Sequence, residues 1–109
     1  LWIVRDGQLT EYSPDKMPVG KPMGAVRPFT SKTVRLMKGD LVLMFTDGFA
    51  DQFGGAAGKK FMYRALKNLL RSVSHLPDQE IAESLRNAFE SWRGDYDQVD
   101  DVLVFGVRV

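Results

Sequence analysis

Apolar and polar positions along the chain predict strands first, then two helices, then a closing strand. Leu1 to Val4 is apolar and strand-like, and Leu9 to Tyr12 is a second short candidate. Between them stands Arg5-Asp6-Gly7-Gln8, where Asp-Gly suits the two positive-φ positions of a type I′ turn, so the pair reads as a hairpin. Residues 13–30 hold Pro14, Pro18, Pro22 and Pro28 with Gly20 and Gly24, a density of breakers that predicts a loop. A second hairpin is expected next. Thr33-Val34-Arg35-Leu36 alternates, Lys38-Gly39 makes the turn, and Leu41-Val42-Leu43-Met44-Phe45 runs apolar without alternation. Such a run predicts a strand covered on both faces.

Two amphipathic helices follow. Met62, Leu66, Leu69, Leu70 and Val73 form one apolar stripe, and Ile81, Leu85, Ala88, Phe89 and Trp92 repeat its spacing. Pro77 and Asp78 mark the start of the second helix and Gly94 its end. The run from Val102 to Val109 carries a buried-strand signal. Strands, a helix pair and a final strand argue an α+β fold.

Composition narrows this picture. A chain of 109 residues is one domain at most, or part of one. It can bury roughly two-thirds of its unfolded surface. At 44% hydrophobic and 27% charged residues, disorder is not expected. The net charge of +1 implies no basic face, so nucleic acid is not an expected partner. No cysteine is present, which excludes disulfides and thiolate chemistry and fits a cytoplasmic setting. No apolar run approaches the ~20 residues of a membrane span, and no signal peptide is visible. The chain opens on the apolar strand Leu1-Trp2-Ile3-Val4 without a methionine, which reads as a cut through a larger domain.

The informative chemistry is acidic. Asp47 follows the apolar strand directly in Phe45-Thr46-Asp47-Gly48, where Gly48 is expected to let the backbone turn sharply. Asp51 lies four residues on, and Asp95, Asp97, Asp100 and Asp101 cluster before the last strand. If the two apolar strands are neighbours, Asp47 and Asp100 converge at one end of the sheet. Converging carboxylates repel, and a hard divalent cation removes that cost. Spacing alone fits a plain turn and a solvated acidic loop better than a metal site. No EF-hand loop is present, and Gly54-Gly55-Ala56-Ala57-Gly58-Lys59-Lys60 lacks the spacing of a phosphate-binding loop.

Leu36-Met37-Lys38-Gly39-Asp40 followed by Leu43-Met44-Phe45-Thr46-Asp47-Gly48 resembles the metal-dependent protein phosphatases (PPM family) in their SpoIIE-like bacterial branch, where a "GD", a short apolar strand and a "TDG" follow one another. Asp100-Asp101-Val102-Leu103-Val104 resembles the "DD" that leads into that branch's last strand. Trp2-Ile3-Val4-Arg5-Asp6-Gly7, Met17-Pro18-Val19-Gly20 and Asp51-Gln52-Phe53-Gly54-Gly55 with Gly58-Lys59-Lys60-Phe61 add to the likeness, which runs in order over nearly the whole chain.

The resemblance implies two packed antiparallel sheets, a β-sandwich, flanked by helix pairs. Residues 1–109 would be the C-terminal portion of one such domain, because the family's upstream metal-bridging aspartate motif is not in this sequence. It implies Mn²⁺ or Mg²⁺ in a two-metal site, with Asp47 and Asp100 as ligands and catalytic residues, Gly48 as the conformational partner of Asp47, and Asp101 as a further metal candidate. Asp101 stands where many relatives carry Asn, and Leu103 where they often carry Thr or Ser. The activity implied is hydrolysis of phosphoserine or phosphothreonine by metal-activated water, without a covalent enzyme intermediate. The implied setting is the output module of a bacterial signalling protein, cytoplasmic, with an upstream sensor domain and a phosphorylated protein substrate resembling an anti-sigma-factor antagonist. The alternative expectation is a non-catalytic regulatory or protein-binding module of the same fold. A haloacid-dehalogenase-type site would need an aspartate where Phe45 stands.

The remaining residues have plainer expectations. His75 reads as a surface residue between the helices, and Phe89 and Trp92 as core. Trp2 is open, either core or a contact to a missing first half. Lys59, Lys60, Arg64, Lys67 and Arg71 give the first helix a solvated basic side. Residues 49–58 are either a flap over substrate or an entry loop to the helix.

Overall fold

In the computed structural model, which describes residues 1–12 and 33–109, Asp6 and Gly7 adopt φ of 50° and 76°. They close the expected two-residue hairpin between β1 (Trp2–Arg5) and β2 (Gln8–Glu11), with Arg5 opposite Gln8. The other edge of β1 pairs antiparallel with β3 (Leu41–Phe45), and β3 pairs antiparallel with β6 (Val104–Arg108). The result is a four-stranded antiparallel sheet in the order β2-β1-β3-β6. The two long apolar strands are therefore neighbours, as the convergence of Asp47 and Asp100 requires.

One face of this sheet is packed by α2 (Tyr63–Val73) and α3 (Asp78–Arg93). Trp2, Val4, Leu41 and Leu43 point into this layer and meet Leu66, Leu70, Ile81, Leu85 and Phe89. These side chains lose nearly all their contact with water, each worth about 1.5–3 kcal/mol before chain entropy is subtracted. Helix α3 keeps its expected bounds: Pro77 precedes it, and Gly94 ends it with φ of 53° and an N–H donated to the Glu90 carbonyl. Arg108 ties the last strand to the helix link through the carbonyls of Ser74 and Leu76 and the carboxylate of Asp78.

Three expectations are corrected and one open reading is decided. Thr33–Leu36 forms no strand. Its neighbourhood is held by side chains instead, with Arg5 donating to the Arg35 carbonyl and the Asp40 carboxylate accepting the Met37 N–H. Strand β3 is covered on one face only, with Met44 51% exposed, and β6 is exposed at Phe105 and Val107. Met62 is exposed and lies outside the helical stripe, at the N-cap of α2 with φ of 77°. Trp2 is core: it is 2% exposed, edge-on to Phe45 at 4.3 Å between ring centres.

The sheet and helix pair make an α+β layer, with the apolar outer face of the sheet open among the described residues. Met17-Pro18-Val19-Gly20 and the loop expected at 13–30 lie outside the described residues. No helix among the described residues is long and apolar enough to cross a membrane. His75 is exposed, as expected.

Candidate functional site

The β3–β6 ladder ends with Phe45 opposite Val104, and Thr46 carries the pairing one step further. Its N–H donates to the Leu103 carbonyl at 3.0 Å. Its hydroxyl donates to the Asp101 carbonyl at 3.0 Å and accepts the Leu103 N–H at 3.0 Å. This clasp fixes Asp47, the next residue, at the same end of the sheet as Asp100 and Asp101. All three aspartates are exposed.

Asp47 also stands at the N-cap of a four-residue helix, α1 (Gly48–Asp51). Gly48 is buried within that helix. Its expected role as a sharp, glycine-only turn is not the one observed, since it does not adopt positive φ. The glycine is required by space. A Cβ there would overlap the Asp101 carbonyl and sit 3.1 Å from a Val102 methyl. The helix start and the approach to β6 touch backbone to backbone, which only glycine allows.

At the acidic pair, Asp100 accepts the Asp101 N–H on Oδ1 at 2.7 Å, and the Gln98 amide donates to the Asp100 carbonyl at 3.0 Å. Further back, buried Gln52 donates to the carbonyls of Asp97 (2.8 Å) and Phe53 (2.9 Å). Its own carbonyl accepts the Trp92 indole N–H at 2.8 Å. Gln52 thereby joins the end of α1 to the acidic approach to β6. Its side-chain Oε1 has no hydrogen-bond partner.

Residues 49–58 are neither a free flap nor a plain entry loop. They contain most of α1 and one strand of a two-stranded ribbon, β4 (Phe53–Gly54) with β5 (Lys59–Lys60). The ribbon is pinned to the end of α3: Gly55 donates to the Trp92 carbonyl at 3.0 Å, and a Cβ on Gly54 would overlap that carbonyl. Trp92 is half-buried, edge-on to Phe61 at 5.5 Å. Short two-residue strands leave no period to detect, so periodicity missed both α1 and the ribbon.

No sequence pattern marks Tyr63, the first residue of α2. Its hydroxyl donates to Asp47 Oδ1. Partial burial first, and the bond to Asp47 second, push the phenol up to about 12. Its ring lies 6.1 Å from those of Trp2 and Phe45. Beside it opens a cleft of about 370 Å³ lined by Trp2, Glu11, Met44, Phe45, Asp47 and Tyr63, among others. Lys67 stands one turn along α2 from Tyr63 and contacts two of the lining residues. It bonds Glu11 at 2.7 Å, holding that carboxyl below its usual range, and lies over the Trp2 ring at 5.5 Å. Lys60 lies 3.8 Å from Asp51, so part of the basic side is spent on local pairing.

Asp47 and Asp100 offer the exposed carboxylate oxygens that Mn²⁺ and Mg²⁺ prefer. The glycine contact at residue 48 keeps the space between helix start and strand free of side chain. The donor set therefore fits such a cation in kind. Among the described residues, no three acidic or histidine side chains group closely enough to hold a metal, so these residues alone supply a partial ligand set.

Comparison with known proteins bears on this arrangement. The family model described as stage II sporulation protein E (SpoIIE) matches residues 1–109. A solved structure, the "SiaA-PP2C domain of Pseudomonas aeruginosa", is similar with a TM-score of 0.85 at 27% sequence identity. That similarity covers 99% of this chain and 42% of the other, so the chain spans less than half the length of the structure it matches. No curated protein matches the chain at a significant level.

Proposed function

The chain belongs to the stage II sporulation protein E (SpoIIE) family, and from that premise we propose that it is the C-terminal portion of a metal-dependent protein serine/threonine phosphatase domain. The observation that carries this reading is the Thr46 clasp, which brings Asp47 and the Asp100–Asp101 pair to one end of the sheet with Gly48 against the Asp101 backbone. The open outer face of the sheet, with Met44, Phe105 and Val107 exposed, supports a second sheet packing there in the complete domain.

In this reading Asp47 and Asp100 are cation ligands, and Asp101 is held beside them by its backbone. Mn²⁺ or Mg²⁺, when bound, supplies Lewis acidity that makes water a nucleophile near neutral pH and offsets charge on the phosphoryl oxygens. The protein's part is positional. Thr46 and Gly48 set the separation of the two strand ends, and Gln52 holds the acidic approach against α1. The substrate class is a phosphoserine or phosphothreonine protein, in kind an anti-sigma-factor antagonist. The setting is a cytoplasmic output module driven by a sensor domain in the same protein.

The test is Mn²⁺-dependent hydrolysis of a phosphoserine peptide by the full-length protein. Asp47→Asn and Asp100→Asn are each expected to abolish metal-dependent turnover while leaving the circular dichroism spectrum intact. Unchanged turnover in both variants overturns the site, and no turnover in the native protein with Mn²⁺ overturns the activity.

A further inference from the structure

An aspartate at a helix N-cap ordinarily spends a carboxylate oxygen on the helix's free N–H groups. Asp47 does not: it makes no side-chain cap bond to α1. Its Oδ1 instead accepts the hydroxyl of Tyr63, sixteen residues further along the chain. A tyrosine near neutral pH keeps its proton and an ionised carboxylate only accepts, so the direction of this bond is fixed.

The tyrosine is brought there at a cost in backbone energy. Met62, directly before it, adopts φ of 77° and ψ of 153°, a region that side-chain-bearing residues rarely occupy. Two backbone bonds hold that conformation: Phe61 N–H to the Gln52 carbonyl at 2.9 Å and Met62 N–H to the Ala50 carbonyl at 2.8 Å. Both acceptors lie in or next to α1, the helix that Asp47 begins. The ring of Tyr63 is then flanked by Trp2 and Phe45 at 6.1 Å each. Strained backbone and clamped ring converge on one hydroxyl, and that hydroxyl touches one carboxylate.

We propose that Tyr63 is the positioning residue for Asp47: its hydroxyl occupies Oδ1, fixes the carboxylate's rotation and leaves Oδ2 as the oxygen presented to a divalent cation. The inference rests on the reading of Asp47 as a cation ligand. In this role Tyr63 acts through Asp47. An unanchored carboxylate at a strand end must lose its rotational freedom when a cation binds, whereas Tyr63 removes that freedom in advance. Groups that hydrogen-bond a metal's ligands typically change affinity by about 10–100-fold when removed.

The experiment measures Mn²⁺ binding to the full-length protein from the free-ion electron paramagnetic resonance signal, without turnover. Tyr63→Phe keeps the ring and is expected to keep the melting temperature within a few degrees while raising the Mn²⁺ Kd by about 10–100-fold. Placing p-aminophenylalanine at position 63 returns a donor to the same spot and is expected to recover most of the loss. If Tyr63→Phe does not fold, p-amino- and p-methylphenylalanine at position 63 are compared, equal in size with and without a donor. Native Mn²⁺ affinity in the donor-less variant, alongside a loss in Asp47→Asn, overturns the positioning role and leaves the site reading intact. Native affinity in Asp47→Asn overturns the site reading and this inference with it.

Discussion

Gly48 and Asp101 meet backbone to backbone: a methyl group on the Gly48 Cα would overlap the carbonyl oxygen of Asp101 and lie 2.9 Å from its carbonyl carbon. The Asp101 carbonyl cannot swing away freely, because it accepts the Thr46 hydroxyl. Gly48→Ala must therefore push the approach to β6 off the start of α1. Overpacking of this kind costs about 1–3 kcal/mol, read as a lower urea midpoint. The same shift separates Asp47 from Asp100. Displacements near 1 Å at a reacting centre cost on the order of a hundredfold in rate, so turnover of the full-length protein should fall by that order. A Gly48→Ala protein with native midpoint and native turnover refutes the contact.

Asp40 offers a pH-dependent prediction on the other end of β3. It is 1% exposed and takes Arg5 Nε and Nη2 on its two oxygens at 2.8 and 2.7 Å. The bond to Arg5, helped by the Met37 N–H, draws Asp40 down from the usual 3.8 to about 2. A carboxylate depressed in the folded state stabilises fully above its unfolded pKa, and that contribution is lost as pH falls through the folded one. Asp40→Asn should thus be less stable than the native chain by a constant margin from pH 7 to about 4. The margin should shrink between about 4 and 2. Denaturant titrations of both proteins at pH 7, 4 and 2 check this, and a margin that stays constant down to pH 2 rules it out.

Much of this architecture was legible in the chain because its signals are local. Asp6-Gly7 demands a tight hairpin, and Pro77 and Gly94 bracket a helix with a continuous apolar stripe. That Asp47 and Asp100 stand at one end of the sheet was legible one step less directly, from two apolar strands expected to be neighbours. The misreadings share a different cause. Alternation over Thr33–Leu36 describes any extended segment with one wet side, and among the described residues it is met by the Arg5 side chain rather than by a partner strand. The apolar runs at Leu41–Phe45 and Val104–Val109 call for cover on both faces, yet no pattern along the chain says what supplies it. Tyr63 was invisible because its approach to Asp47 depends on a backbone conformation at Met62 that methionine does not advertise.

Gln52 makes a prediction about the acidic approach to β6. Its buried amide donates to the Phe53 and Asp97 carbonyls. Gln52→Met keeps the length of the side chain and removes both donors. Losing two part-buried hydrogen bonds costs about 0.5–1.5 kcal/mol each, offset in part because the unpartnered Oε1 goes with them. The loss should be local as well as global, since Asp97 is the point where α1 holds the segment leading to Asp100. Amide exchange at residues 96–101 should accelerate in Gln52→Met more than exchange in the α3 interior. Equal acceleration in both regions would show that Gln52 is ordinary core and no tether.

Met62 makes the final and most counterintuitive prediction, that replacing it by glycine stabilises the protein. The φ of 77° with ψ of 153° carries a strain of about 1–3 kcal/mol for a residue with a Cβ. Glycine escapes this strain but gives back about 0.5–1 kcal/mol through the extra freedom of its unfolded chain. The methionine side chain is 57% exposed, so little packing is lost with it. The balance favours Met62→Gly by about 1 kcal/mol, a gain of several degrees in Tm for a domain of this size. Met62→Ala keeps the Cβ and the strain and should gain nothing. The comparison of the two variants isolates backbone strain from side-chain loss, because both remove the same exposed thioether. An alanine variant as stable as the glycine variant would place the Met62 backbone in a relaxed conformation, and Tyr63 would then reach Asp47 without stored strain.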